Sequence, residues 1–418
     1  MAFVNDRACG TGTRRDSVAC VAGKRWRIAG VVALSAGAAA ACSSGPAAGG
    51  AGAGDGAAVD GQVRLDVALR DRSGEHAYAD AVPPGAPGAP LQGVEGVWTW
   101  IDFPDSRCRD GSSTGLGLNV SRASPNVMVF LDQGGACFDP RVCPFNASSY
   151  GANEFGGGMS EGIFNRADPD NPVRDYSFVF IPYCTGDVHS GNQPSGSIDG
   201  VGPQQFVGYK NLDVFLARVV PTFSDAKRVL FAGSSAGGFG VLLNADHAAR
   251  WFAPIPVTVL SDSGPPMPAA VVEPCLQQKW NDLWGFQRSV LADCAGDCPS
   301  ANDYMIDDLF HFVWRYPDYR IALISSTQDA IDDLFFSFGY MNCTADTTIP
   351  GAIYEAGLVD LRNELQQAGQ GSFSTYYIPG TGHIWLMTDA GFATSVGGVP
   401  LKRWVGDLLG GASVSVGP

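Results

Sequence analysis

Positive charge is scarce in this 418-residue chain, where 27 Lys and Arg stand against 42 Asp and Glu. The deficit deepens past residue 42, where 21 basic and 40 acidic side chains leave a net charge of −19. No stripe of Lys or Arg is left to hold a polyanion, so nucleic acid is excluded as a partner and a polyuronate would be repelled. Beyond the N-terminal region no apolar run approaches the roughly 20 residues needed to cross a bilayer, which confines any membrane contact to the N-terminus. Histidines or a second close cysteine pair near Cys294 and Cys298 are also lacking, which argues against a zinc site there. What the chain does have is 45% hydrophobic and 11% aromatic residues, enough for a packed core and unlike a disordered or fibrous composition.

Residues 1–42 read as an export signal. Lys24, Arg25 and Arg27 precede an uncharged stretch, Ile28 to Ala41, that is short for a membrane span and ends in small residues. AAAC followed by SSG resembles a bacterial lipobox, which makes Cys42 the candidate lipidated residue; signal cleavage and release is the alternative. Residues 43–90, rich in Gly, Ala and Pro, read as a flexible tether. Eight cysteines follow, an even number that in an exported domain favours disulfides, although spacing alone cannot choose their pairing.

Residues 91–418 read as one α/β domain. Val97 to Phe103 and Gly115 to Val120 are candidate strands that would pair as an antiparallel hairpin. Six short β-rich apolar runs then recur: Val127 to Leu131, Ser177 to Pro182, Arg228 to Ala232, Val257 to Leu260, Ile321 to Ser325 and Thr375 to Ile378. Leu212, Phe215, Leu216 and Val219 fall at helical spacing between the second and third. Such alternation predicts a mostly parallel sheet covered by helices on both faces. The interval of about 264–318 is too long for a simple crossover and reads as a helical cap, with Trp280 and Trp284 as part of its own core.

Gly233-Ser234-Ser235-Ala236-Gly237 lies between an apolar run and a helical stretch, Gly238 to Trp251, the strand–turn–helix setting of a G-x-S-x-G nucleophile elbow. The glycine frame selects Ser235, because centring on Ser234 would require glycine where Ala232 and Ala236 stand. A serine hydroxyl needs a general base, which in this chain order comes after the nucleophile. His383, in PGTGHIW after the last strand, fits; His247 reads as a helix-surface residue and His311 as cap packing. The acid should follow an intervening strand, and Asp329 in SSTQDAIDD fits. Asp262 in SDSG is the rival, read as a turn residue bonding amides, while Asp332 and Asp333 read as solvated. LDQGGACF supplies a Gly-Gly turn after the first firm strand, making Gly135 and Ala136, with Ala236, the candidate oxyanion donors. This chemistry calls for no cofactor and no metal.

Four ordered segments, LDQGGACFD, PYCTGDVHSG, GYKNLDVFLARV and VLFAGSSAGGFG, resemble the pectin acetylesterase family, which includes the animal carboxylesterase Notum. WTWI with CRDGSSTGLGLNVS is similar to its bacterial branch, whereas Gln133 to Ala136 depart from the three glycines and Trp of plant members. The resemblance, from about Trp98 to about Trp385, implies an α/β-hydrolase fold and an ester-cleaving triad mapped onto Ser235, Asp329 and His383. The expected activity is removal of O-acetyl groups from an extracellular glycan or small-molecule ester. A lipid or other acyl-ester deacylase, which would need a deep apolar pocket under the cap, and a non-catalytic cell-surface binding protein are the alternatives.

Overall fold

The computed structural model describes residues 84–294, 298, 303–345, 347–368 and 371–418. The expected export signal, Cys42 and the tether as far as residue 83 lie outside the described residues. At the end of that tether, the Gly88 amide donates to the Ala217 carbonyl at 2.7 Å, so the chain is already laid against a helix there.

Among the described residues, twelve strands include eight that form one sheet. β1 (Thr99–Phe103) pairs antiparallel with β2 (Thr114–Asn119), as expected of the opening hairpin, and β2 pairs antiparallel with β4 (Ser177–Ile181). The rest run parallel in the order β4, β3 (Val127–Leu131), β7 (Val229–Ser234), β8 (Val257–Asp262), β9 (Arg320–Ser326) and β10 (Phe373–Ile378). Every residue of β3 and β4 is buried, which is why these strands read as continuous apolar runs instead of alternating ones. The pleat divides them between two cores: Val127, Val129 and Leu131 face one, Met128 and Phe130 the other.

Two features differ from the sequence expectation. A hairpin of β5 (Gln193–Ile198) and β6 (Gly202–Phe206) precedes the helix Gly208–Thr222; its Gly, Pro and Gln residues carry no apolar period to announce it. The helix after the elbow is two helices, Ala236–Leu243 and Ala245–Phe252. They part at Asn244, whose Nδ2 donates to the Gly240 carbonyl at 2.8 Å and to Ser190 Oγ at 2.9 Å. The turn reorients the second helix, so His247 is buried, at 1% exposure, and is not the surface residue its sequence position suggested.

Between β8 and β9 the chain forms the helices Pro274–Trp284, Val290–Asp293 and Tyr304–Arg315. Helices Ala330–Phe336 and Gly351–Ala368 then lie between β9 and β10. The eight cysteines beyond residue 42 pair as Cys108–Cys184, Cys137–Cys143, Cys275–Cys343 and Cys294–Cys298. Among the described residues no helix is long and apolar enough to cross a membrane.

Candidate active site

Ser235 sits where β7 ends and the helix Ala236–Leu243 begins, with φ 54° and ψ −120°, a left-handed backbone that a serine adopts only under constraint. Part of the constraint is the Ser235 amide, which donates to the Asp262 carbonyl at 2.7 Å. The flanking glycines are required by contact. A Cβ on Gly237 would lie 2.0 Å from the Leu131 carbonyl oxygen, and one on Gly233 would lie 2.4 Å from the Gly237 oxygen. Removing both side chains lets the strand and helix close on each other, which lifts the serine hydroxyl off the sheet.

His383 comes from the loop after β10, and its Nε2 stands 2.8 Å from Ser235 Oγ. Its Nδ1 is 2.9 Å from each oxygen of Asp329, on the far side of the ring. Asp329 follows β9 and caps the helix Ala330–Phe336, where its Oδ1 accepts the amides of Ile331 at 3.0 Å and Asp332 at 3.1 Å. The carboxylate is fully buried and the imidazole nearly so, at 13% exposure. Burial alone would lower the His383 pKa, but the bond to Asp329 and the charges of Asp329 and Asp262 outweigh it and raise it.

Asp262, the rival acid, holds the loop instead. Its Oδ2 accepts the amides of Trp385 and Leu386, both at 2.9 Å, and the Ser234 hydroxyl at 2.7 Å. The amides it bonds lie more than a hundred residues away in sequence, so it pins the His383 loop against the elbow, a larger task than the local turn its sequence suggested. Asp332 is not solvated: it is 2% exposed and its Oδ2 accepts the Tyr354 hydroxyl at 3.0 Å. Its place three residues past Asp329 on a helix was the available signal, since that spacing puts both on one face. Asp333 accepts the Ile349 amide at 2.7 Å. His311 is fully buried in the helix Tyr304–Arg315, with its Nε2 3.7 Å from Asp246.

Gly135, Ala136 and Ala236 line the same cavity as Ser235. Gly135 has a φ of 69°, and its turn is tied down by the adjoining Cys137–Cys143 disulfide and by Asn146, whose Nδ2 donates to the Gly134 carbonyl at 3.1 Å. The cavity is small, with a free volume of about 40 Å³, and Ser235 shares its lining with residues of the helices between β8 and β9. Phe239, Trp280, Trp284, Phe286, Tyr304 and Phe336 are among the residues that line it. Trp280 and Trp284, one helical turn apart, stack at 5.6 Å, so the tryptophans expected only as cap core also form a cavity wall. Asp329, Asp332 and His383 each bring one ligand-type atom within 4.8 Å of the others, but both Asp329 oxygens are already engaged by the imidazole.

Residues 100–297 match the sequence profile of the pectinacetylesterase family. The match covers a little under half of the chain. The palmitoleoyl-protein carboxylesterase NOTUM of Schmidtea mediterranea is 34% identical over 161 residues, covering 35% of this chain and 30% of that protein. Its human counterpart is 33% identical over 173 residues, covering 38% and 34%. The chain thus spans about a third of the length of the curated relatives it matches. The solved structure of the Wnt deacylase Notum from Drosophila superposes with a TM-score of 0.54 at 21% identity, over 77% of this chain and 95% of that one. That likeness shows a shared α/β fold extending well past the family segment. The pectinacetylesterase match ends before Asp329 and His383.

Proposed function

We propose that the chain is a serine carboxylesterase whose preferred acyl group is an apolar chain longer than acetyl. The observation that carries this reading is the apolar cavity opening directly beside a serine that is hydrogen-bonded to a buried histidine–aspartate pair. In this scheme Ser235 Oγ attacks the ester carbonyl while His383 Nε2 takes its proton. Asp329 keeps Nδ1 protonated and stabilises the imidazolium. The amides of Gly135, Ala136 and Ala236 receive the oxyanion. His383 returns the proton to the departing alcohol, and water then cleaves the acyl-enzyme by the same route. No cofactor enters.

The acyl length follows from burial. Each methylene moved from water into the aromatic wall is favourable by about 0.8 kcal/mol, a gain that acetyl cannot collect. The NOTUM relatives are described as palmitoleoyl-protein carboxylesterases, in keeping with a pocket for a long chain. Removal of O-acetyl groups from a glycan is the second reading, favoured by the pectinacetylesterase family match. Against pectin itself stands the net charge of −19 past residue 42. Four disulfides suit an oxidising compartment, which supports an exported protein with an extracellular ester as substrate.

Hydrolysis of p-nitrophenyl esters from acetate to dodecanoate tests the proposal, with fluorophosphonate labelling alongside. Rising kcat/KM with chain length supports it, and a sharp optimum at acetate returns the assignment to the acetylesterase reading. A labelled wild type beside an unlabelled S235A excludes the binding-protein alternative; an unlabelled wild type ends the esterase reading.

A further inference from the structure

Asp332 is a second buried carboxyl at the site. One of its oxygens lies within 4.8 Å of both an Asp329 oxygen and a ring nitrogen of His383. Its amide donates to Asp329 Oδ1 at 3.1 Å, and the fully enclosed Tyr354 donates its hydroxyl to Oδ2 at 3.0 Å. Asp332 also forms part of the wall of the cavity that Ser235 opens into.

Two carboxylates this close and this far from water do not both ionise readily, because each charge raises the cost of the other. The donors decide which one keeps the charge. Asp329 receives two amides and the imidazole, whereas Asp332 receives the phenol of Tyr354. Burial first, and then the charge of Asp329, push the Asp332 carboxyl well above the carboxylate range; His383 and Tyr354 pull it down, and Asp262 adds to the rise. Burial and the crowding of the two carboxyls thus favour the protonated form of Asp332.

We propose that Asp332 is a positioning residue of this site, a neutral second acid that takes up the charge and the orientation of His383 when Asp329 is neutral. The proton balance is internal: an O–H bond breaks on Asp332 as one forms on Asp329, and the imidazole faces a single negative charge in either arrangement. When Asp329 is replaced by a residue that cannot ionise, its charge no longer opposes ionisation of Asp332, and that proton passes to solvent. The inference rests on the triad reading above.

The test compares D329N with D329N/D332N in the full chain, with S235A as the baseline, by kcat/KM for p-nitrophenyl butyrate across pH. D329N is expected to exceed the double variant by about tenfold or more, with residual activity that rises with pH along a limb the double variant lacks. Equal rates for the two variants, above a silent S235A, overturn this proposal alone. Activity that survives S235A overturns the triad and the proposal with it. If D329N loses its near-UV circular dichroism, the pair D329S and D329S/D332N gives the same comparison with the same outcomes.

Discussion

Nδ1 of His383 stands 2.9 Å from both carboxylate oxygens of Asp329. A ring nitrogen held that way keeps its proton, which leaves Nε2 bare to accept from Ser235 at 2.8 Å. The carboxylate is itself oriented, because it caps the helix that follows β9 and takes two amides of its first turn. Tautomer and aim of the imidazole are thus transmitted from a helix N-terminus to the serine hydroxyl.

Replacing Asp329 with Asn removes the charge and offers Nδ1 a donor, favouring the wrong tautomer. We expect kcat to fall by about 10²–10³, less than the roughly 10⁴ of a triad with no second acid. Asp262→Asn should act differently, since it loosens the amides of Trp385 and Leu386 and the Ser234 hydroxyl without touching the ring. Its expected mark is a stability loss of about 1–3 kcal/mol with a smaller loss of kcat. Steady-state kinetics beside thermal melts separate the two, and a folded D262N slower than D329N would show that the acid has been misassigned.

The dependence on pH follows from His383. Protonated, it cannot take the Ser235 proton, so kcat/KM falls as pH falls through the imidazole pKa. Burial lowers that pKa, but the Asp329 bond and the nearby carboxylates prevail and raise it above the ordinary 6.5. The acid limb of the profile should be centred above this value, and a midpoint below it would contradict the arrangement.

Acyl preference is expected to respond to the cavity wall. Leu243 lines it and is nearly inaccessible, so Leu243→Phe takes up space that the far end of an acyl chain would fill. Losing room for two methylenes corresponds to about 1.6 kcal/mol, or more than tenfold in kcat/KM for an octanoyl ester, with acetate much less affected. The ratio of the two rates is the readout, and a uniform loss would mean that the chain binds elsewhere.

Much of the scaffold was legible because it obeys local rules. The buried parallel strands appear as apolar runs, and the elbow is marked by two glycines whose absent side chains the backbone demands. Asp329 and His383 could be nominated from their loops after strands. What escaped was set by distant contacts. Asp332 looks like any acidic residue on a helix until Tyr354, from another helix, encloses it. Trp280 and Trp284 bury themselves as a cap core would, and only the fold reveals that the same faces enclose a cavity beside Ser235. The break at Asn244 depends on Ser190, more than fifty residues upstream, and with it goes the surface placement of His247.

His247 offers the last prediction, one that concerns stability alone. Its Nε2 is 2.9 Å from Asp213 and its Nδ1 3.5 Å from Asp293, and the ring leans on Tyr209 at 4.1 Å between centroids. Arg250 completes the cluster, bridging Asp293 and Asp246. Burial opposes the imidazolium, but bonds to Asp213 and Asp293 outweigh it and raise the pKa in the folded state. A raised folded pKa means that the charged ring stabilises the protein fully below the unfolded value of about 6.5, and that this contribution drains away as pH climbs through the folded pKa. Wild-type melting temperature should therefore decline over that interval. His247→Phe should cost about 1–2 kcal/mol at acidic pH, because it takes a cation from two partly buried carboxylates that keep their other partners, and should flatten the decline. Melts of both proteins at stepped pH check this: parallel curves would mean that the ring is neutral in the fold and that Arg250 alone balances the acids.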